Sequence, residues 1–265
     1  MAYGLKASRP FGFLAIGHQP YALCLLLLLS GCYGNTAATD PNAAATRLAA
    51  LLEDQDPQVR TVAAQALGKI AAPDSVPALL RGLEDSDPDV RAMSAWALGR
   101  FGEDVLDEAG LKLAERLDDP SPEVKQAAAQ ALGAVGGTQA IVELLTERLT
   151  HSDVETRRAS VQVLTWLEAG SAHHALIAAL RDSDAQVRQG AVAAVGEMVD
   201  PRSLPAIRDR LLKDADAGVR GEAAYRLGKF GDRTIVSALR TAATRDPDAA
   251  VRRWATWALE QVGPD

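Results

Sequence analysis

One motif recurs seven times along the chain: a short acidic turn is followed by a branched residue, a basic residue and an alanine-rich run. Successive copies begin about 32 residues apart, a period typical of repeat proteins. The basic residues of the seven copies are Arg60, Arg91, Lys125, Arg157, Arg188, Arg220 and Arg252. This regularity predicts a stacked array in which each unit buries its apolar face against its neighbours. The chain is therefore expected to offer a long surface.

Composition agrees with such an array and excludes one class of partner. Hydrophobic residues make up 48% of the chain but aromatic residues only 5%, which suits many small contacts between closely packed helices better than one deep core. The formal net charge is −7. Binding to a phosphate backbone needs clustered Lys and Arg, so we expect no nucleic acid partner.

Each unit reads as two helices. In the second unit, apolar residues recur at the i, i+3, i+4, i+7 spacing of an amphipathic helix over Ser75–Leu83. Asp87 and Pro88 then suit the N-cap and first position of a second helix. The equivalent caps of the seven units are Asp56, Asp87, Ser121, Asp153, Asp184, Asp216 and Asp248. Glycines are expected to close most of the second helices, as at Gly102, Gly136, Gly231 and Gly263.

The faces of the second helix can be separated at 100° per residue. Counted from the basic residue, positions −1, +3, +7 and +10 are almost always apolar and form the predicted core stripe, as with Val59, Ala63 and Leu67 in the first unit. Position +5 lies on the opposite side of the helix, where core packing does not explain what is found. Large aromatic residues nevertheless occur there, and such residues anchor interfaces when they are exposed.

These features resemble HEAT repeats, specifically the short kind found in phycobilisome lyases, over roughly residues 43–262. Patterns of the tetratricopeptide and ankyrin repeats, which share this period, are absent. The resemblance implies an all-α fold, an α-solenoid of about seven two-helix repeats. It also implies a ladder of acidic and basic side chains between successive repeats. We assign to this ladder Asp56, Arg60, Asp87, Arg91, Asp184, Arg188, Asp216, Arg220, Asp248 and Arg252.

The third unit departs from the pattern implied by the resemblance. Ser121 and Lys125 stand where the other units mostly have Asp and Arg, and this unit is also the longest. We expect the stack to bend or slip at this point.

The second helices of HEAT-like stacks line the concave side, so the irregular column is the candidate binding surface. Positions +1 and +9 flank it and add basic and aromatic residues. The predicted protein-binding strip consists of Trp96, Arg100, Arg158, Trp166, Tyr225, Lys229, Arg253 and Trp257. It suits an extended or acidic segment of a partner. The alternative is that these residues contact only water or their own repeats, and that Trp254 and Trp257 shield the last repeat.

The N-terminus is interpreted as a targeting segment. Lys6 and Arg9 precede the apolar stretch Tyr21–Leu29, which is too short to span about 30 Å of hydrocarbon. The following Leu-Ser-Gly-Cys resembles the bacterial lipoprotein box, which implies cleavage before Cys32 and lipidation of its thiol. We predict a cleaved signal peptide at 1–31, a lipidated cysteine and short tether at 32–42, and the solenoid at 43–265. The alternative is an ordinary secretory signal with a coincidental cysteine.

Nothing in the sequence indicates catalysis. His173 and His174 are adjacent and point about 100° apart on a helix, so they do not form a chelating pair. The His-Glu pairs of HEAT-repeat iron hydroxylases are absent. The repeated Asp pairs could suggest calcium, but the second Asp of each pair is a helix cap. We therefore predict no metal, no cofactor and no enzymatic activity.

The resulting prediction is a membrane-anchored, extracytoplasmic scaffold, expected to be a monomer, that binds a protein partner through its concave face. Its location would be the bacterial cell envelope, with the membrane reached through the lipid at Cys32. Tyr33, rather than Asp, follows that cysteine, which by resemblance to sorted lipoproteins favours the outer membrane. The alternatives are a chromophore-handling protein like the tetrapyrrole lyases, or a structural spacer without a dedicated ligand.

Overall fold

The computed structural model describes residues 41–263, and within them the chain is entirely helical, as predicted. Seven helices open the repeats: α1 Pro41–Ala50, α3 Val76–Gly82, α5 Leu106–Glu115, α7 Gln139–Arg148, α9 His173–Ala179, α11 Leu204–Lys213 and α13 Val236–Arg245. Seven longer helices close them: α2 Pro57–Ile70, α4 Pro88–Gly99, α6 Pro122–Val135, α8 Val154–Trp166, α10 Ala185–Glu197, α12 Ala217–Phe230 and α14 Ala249–Val262. Short 3-10 turns adjoin most of the first helices.

The predicted caps of the second helices are confirmed in all seven repeats. Each cap side chain accepts a hydrogen bond from the backbone N–H two or three residues further along, as Asp87 does from Asp89 and Val90. The one serine among them, Ser121, accepts from the N–H of Val124. Capping thus explains the second acid of each Asp pair.

The second helices also share one way of ending. The residue eleven positions after each basic residue has a positive φ angle, which breaks the helical hydrogen bonding. Gly102, Gly136, Gly231 and Gly263 do so as predicted. In the other three repeats a non-glycine residue adopts this angle, at Ala71, Glu168 and Val199.

The fourteen helices form two layers. Each second helix packs along the next second helix, whereas neighbouring first helices are in less contact. The core between the layers consists of buried Leu, Val and Ala, among them Leu67, Leu98 and Leu132 at position +7. Closer packing in the second-helix layer places that layer on the inner side of any curvature of the stack.

Glycine at position +8 permits this close approach. A Cβ on Gly68, Gly99 or Gly228 would lie 2.8 Å from the Cα of an alanine in the next second helix, closer than real Cβ atoms come. Larger residues at these positions would push the helices apart.

The N-terminal boundary differs slightly from prediction, because α1 begins at Pro41 and residues 41–263 belong to one compact unit. The predicted signal peptide, Cys32 and most of the tether lie outside the described residues. Within the described part of the chain, the helices are too short or too polar to cross a membrane.

Candidate interaction surface

The ladder between repeats is built from a different acid than the one predicted. At five of the six joints, the arginine of one repeat donates from Nε and Nη2 to both carboxylate oxygens of an aspartate in the next repeat. The donor–acceptor distances are 2.7 to 2.9 Å. The pairs are Arg60–Asp85, Arg91–Asp119, Arg157–Asp182, Arg188–Asp214 and Arg220–Asp246. Each of these acids precedes the capping residue by two positions.

The assignment of the capping acids to the ladder is therefore wrong, while the arginines Arg60, Arg91, Arg188 and Arg220 are in it. The acids wrongly assigned as ladder partners are Asp56, Asp87, Asp184, Asp216 and Asp248. Their oxygens face the first turn of their own helix, and the flat guanidinium group instead pairs with the acid two residues earlier. Asp184 does contact the preceding repeat, but through Arg158.

Each ladder arginine is also held by its own repeat. In Arg188, Nη1 donates to the carbonyl oxygens of Asp182 and Ser183 at 2.9 and 3.0 Å, so the fork is aimed at the next repeat. The acid is fixed as well: Asp214 accepts the N–H of Asp216 at 3.0 Å. Burial raises the pKa of Asp214, but the hydrogen bonds from Arg188 and Asp216 outweigh it and the pKa lies below its ordinary value. The carboxylate is therefore charged at neutral pH.

The joint between the third and fourth repeats is different, because Lys125 stands in place of the ladder arginine; whether the stack bends or slips there stays a prediction. Lys125 is almost buried and donates to Asp153, the capping acid, and to the hydroxyl of Thr156 at 3.2 Å. Thr156 is fully buried and donates to the carbonyl of Leu117 at 3.0 Å. At the position of the usual ladder acid stands His151, whose Nδ1 accepts the N–H of Asp153.

The predicted binding strip divides into three places in the structure. At its N-terminal end, Trp96 is half-buried because its ring lies over Gly68 of the preceding repeat. Arg100, one turn further, is exposed. The expectation that position +5 lies beyond packing contacts is wrong here, since the second helices are close enough for their flanks to touch.

The middle of the strip contains the most exposed aromatic residue of the predicted set. Trp166 is 46% exposed and lies against Gly133, where a Cβ would come within 2.6 Å of the indole. It borders a shallow groove between α8 and α10. The groove has a volume of about 330 Å³ and is lined by Arg158, Val161, Gln162, Thr165, Trp166, Gln186, Gly190 and Ala193.

Arg158, which borders the same groove, is engaged in ion pairs. Its Nε and Nη2 donate to Asp184 at 2.9 and 2.5 Å, and Nη1 donates to Glu155 at 2.8 Å. The hydrogen bonds from Arg158 lower the pKa of Asp184 to about 2. The side chain therefore ties the fourth repeat to the fifth and is not an open anchor for an acidic partner.

The C-terminal end of the strip is an aromatic cluster formed by Tyr225, Trp254 and Trp257. Tyr225 stacks on Trp257 with centroids 5.3 Å apart and meets Trp254 edge-on at 5.4 Å. Arg226 and Lys229 lie over the tyrosine ring at 5.3 and 5.7 Å from its centroid. These distances allow aromatic and cation–π attraction.

The sequence predicts Tyr225, Lys229 and Trp257 for the strip, but not Trp254, which it suggests only as a shield of the last repeat, nor Arg226. Arg226 lies at position +6, next to the aromatic column at +5, and its guanidinium lies over the Tyr225 ring. Arg226 also pairs with Glu222 and Glu197, which joins the fifth and sixth repeats. Arg253, predicted as part of the strip, is exposed on α14.

The histidines form no recognisable reactive arrangement in the described residues. His173 Nε2 lies 2.8 Å from the buried hydroxyl of Ser203 and 3.8 Å from Asp200, so both partners face the same ring nitrogen. Within residues 41–263, no group of His, Cys, Asp and Glu is arranged to hold a metal ion.

Comparisons with known proteins agree with the architecture. The family model for HEAT repeats matches residues 44–109, 110–173 and 173–260. A search of the curated proteins found no match. Importin beta is similar over 89% of this chain and 39% of its own, with 18% identity and a TM-score of 0.66.

Two further solved structures match most of the chain. An archaeal HEAT-like repeats protein from Thermococcus onnurineus is 16% identical, with 86% of this chain and 98% of the other covered and a TM-score of 0.58. The phycocyanin lyase complex of CpcE and CpcF from Nostoc is 20% identical over 86% and 97% of the chains, with a TM-score of 0.49. Likeness at these identities concerns the fold alone.

The fold and the family model lead to one conclusion. Two-helix repeats, capped by Asp and joined by arginines, occupy the described chain, and the model of the family covers most of its length. The chain belongs to the HEAT-repeat family.

Proposed function

We propose that this protein is a scaffold that binds an extended segment of a partner protein in the groove beside Trp166, and that a lipid at Cys32 anchors it to a membrane of the bacterial envelope. The exposure of Trp166 carries the first part of the proposal. An indole that is 46% exposed, on a helix otherwise packed on both sides, leaves a large apolar surface in water. Interfaces characteristically use tryptophan in this way.

The chemistry of the groove favours an extended peptide. Gln162 and Gln186 are exposed on its two sides, and each amide can both donate to and accept from a peptide backbone. Val161, Gly190 and Ala193 form a floor with small side chains. An apolar side chain of the partner would pack on Trp166 while its backbone meets the glutamines.

A photo-crosslinker tests the groove in cells. We expect p-benzoylphenylalanine at Gln162 to cross-link a specific partner, and Trp166→Ala to reduce that product by about tenfold or more, as for an interface hot spot. The matched control places the same crosslinker at Leu111, which is 48% exposed on α5 in the other layer. The same products from both positions would contradict a dedicated surface.

The variant must leave the stack intact for this result to count. Trp96 and Tyr225 are poorer choices, because both are half-buried against neighbouring repeats or rings. Trp166→Ala should unfold close to the wild-type temperature, and far-UV circular dichroism checks this.

Membrane anchoring is tested separately. Cys32→Ser should abolish incorporation of radiolabelled palmitate and move the protein from the membrane fraction to the soluble fraction. More than one acyl chain is needed for stable anchoring, so loss of the lipidated cysteine should have a large effect. Fractionation of Cys32→Ser like the wild type would contradict the lipoprotein interpretation and leave the groove proposal standing.

A further inference from the structure

The arginine of the seventh repeat, Arg252, meets no ladder acid within residues 41–263. We propose that Arg252, on the outer face of this repeat, is a receptor for a side-chain carboxylate of a partner protein, presented by a turn of the Asp-x-Asp type. The site lies on that outer face and goes beyond the groove proposed above.

The equivalent arginines of five other repeats indicate which ligand Arg252 would bind. Each receives both oxygens of one aspartate on Nε and Nη2, as Arg220 does from Asp246 at 2.7 and 2.9 Å. That aspartate also accepts the N–H of the residue two positions on, as Asp246 does from Asp248 at 2.9 Å. The favoured ligand is therefore a carboxylate already held within a turn.

Arg252 is prepared in the same way as its five counterparts. Its Nη1 donates to the carbonyl oxygens of Asp246 and Pro247 at 2.7 and 3.0 Å, the pair of contacts that orients the other forks. Among residues 41–263, no carboxylate lies within ion-pair distance of it. A guanidinium held in advance loses less conformational entropy when a carboxylate binds.

The surroundings form an open groove with a mixed wall. Its volume is about 410 Å³, and its lining includes Arg252, Arg253, Thr256, Trp257 and Glu260. Arg253 adds a second positive charge beside the fork. Glu260 lies two turns further along α14, about 12 Å away. A ligand therefore fits best with its acid at Arg252 and a basic or amide side chain toward Glu260.

A second copy of this chain is the less suitable occupant. The first repeat does present an Asp-x-Asp turn at Asp54: its carboxylate accepts the N–H of Asp56 and, within the described residues, forms no ion pair, although Arg60 donates to its carbonyl oxygen. The repeats that stack in ladder register, however, have glycine at +8, or threonine in the fourth repeat, whereas the longer, charged Glu260 stands there in the seventh. Position +4, small or branched apolar and buried in the other repeats, is the exposed Thr256. These two side chains disfavour a further repeat stacked in ladder register. The guanidinium of Arg252 nevertheless stays accessible to a turn of a partner protein.

Arginine-selective NMR of the purified protein tests the proposal with a defined probe. The probe is the capped peptide Asp-Gln-Asp-Pro-Gln-Val, the turn sequence of residues 54–59, and the control peptide has Asn in place of its first Asp. We expect the Nε–H signal of Arg252, identified by its loss in Arg252→Gln, to move saturably toward the signals of the ladder arginines. The indole N–H signal of Trp257 should move with it.

The controls make every outcome informative. Arg252→Gln should weaken the response of Trp257 by at least tenfold, whereas Arg100→Gln, an exposed arginine elsewhere in the second-helix layer, should leave it unchanged. No shift with the Asp peptide, or an equal shift with the Asn peptide, would overturn the proposal. A shift that appears without peptide as protein concentration rises, and disappears in Asp54→Asn, would instead identify a second copy as the occupant and overturn our assignment of a partner protein.

Discussion

Two joints of the same stack solve the same problem with different chemistry. Between the fifth and sixth repeats, Arg188 holds Asp214 through two bonds of 2.8 Å, and the carboxylate is only 1% exposed. Between the third and fourth, Lys125 holds the capping acid Asp153, which is 39% exposed, and the second helices are in less contact there than at any other joint. A planar guanidinium holds one carboxylate in a fixed geometry, whereas an ammonium donates to whichever oxygen lies within reach. The regular joint is therefore expected to be the more stable and the less adaptable.

Removing the acid of the regular joint should have the largest effect. Asp214→Asn keeps the shape but leaves Arg188 and Arg210 without their carboxylate, and breaking a buried ion pair in this way costs about 3 to 5 kcal/mol. Urea unfolding followed by circular dichroism measures the loss of unfolding free energy. The control is Asp209→Asn, which breaks the exposed pair with Lys213 and should change stability by less than about 0.5 kcal/mol. A similar loss of unfolding free energy in both variants would contradict the idea that burial makes the Arg188–Asp214 pair important for stability.

Acid should weaken the neighbouring joint, which has a second pair. The pKa of Asp184 is lowered to about 2 by the hydrogen bonds from Arg158, from 3.8 for an unperturbed aspartate. Because the folded state binds the proton less readily, the contribution of the pair is complete above about pH 4 and lost as the pH falls toward 2. The whole shift corresponds to on the order of 2 kcal/mol, and the pair supplies the larger part of it beside the backbone N–H groups of Val187 and Gln186. Unfolding of wild type and Arg158→Gln at pH 7 and pH 2.5 tests this, and a stability difference that does not shrink in acid would refute it.

Replacing the guanidinium of Arg188 by an ammonium group tests whether charge alone holds the regular joint together. Arg188→Lys retains the charge but loses the bidentate geometry and the contacts to the carbonyls of Asp182 and Ser183. We expect a loss of about 1 to 2 kcal/mol, the scale of a few buried hydrogen bonds, measured by the same urea titration. Stability equal to wild type would mean that charge alone holds the regular joint.

Rebuilding the irregular joint is the converse experiment, with the smallest expected change. Lys125→Arg combined with His151→Asp restores the residues found at the other joints, and Asp at 151 could accept the N–H that His151 now accepts. We expect a gain of about 1 kcal/mol from the added bonds, read as a higher urea midpoint. Single variants serve as controls, because either change alone lacks its partner. Destabilisation by the double variant would show that the looser contact between these two second helices, rather than the identity of residues 125 and 151, prevents a regular ladder pair here.

Local features were the most predictable from sequence. All seven caps were identified, because an N-cap depends on one side chain and the backbone two or three residues away. The glycine helix ends were identified for the same reason. Ala71, Glu168 and Val199 were not, since none of these residue types favours the positive φ that it adopts here.

Contacts between repeats were less predictable. The sequence names an arginine and two acids per unit, and only the relative placement of successive helices decides which acid the guanidinium meets. The aromatic column shows the same limit. Angle alone placed Trp96 and Trp257 in solvent, but each ring lies over the +8 glycine of the preceding second helix, Gly68 or Gly228, and is partly covered by it.

By itself, then, the sequence determined the all-helical repeat fold, the helix starts and the core stripe, because each follows from interactions within one turn or one period. Tertiary structure alone decided the ladder partner, the burial of the aromatic strip, the groove at Trp166 and the open fork of Arg252. These features depend on the distance between successive repeats. That distance is set by packing between residues some 30 positions apart in the chain, so no single motif determines it.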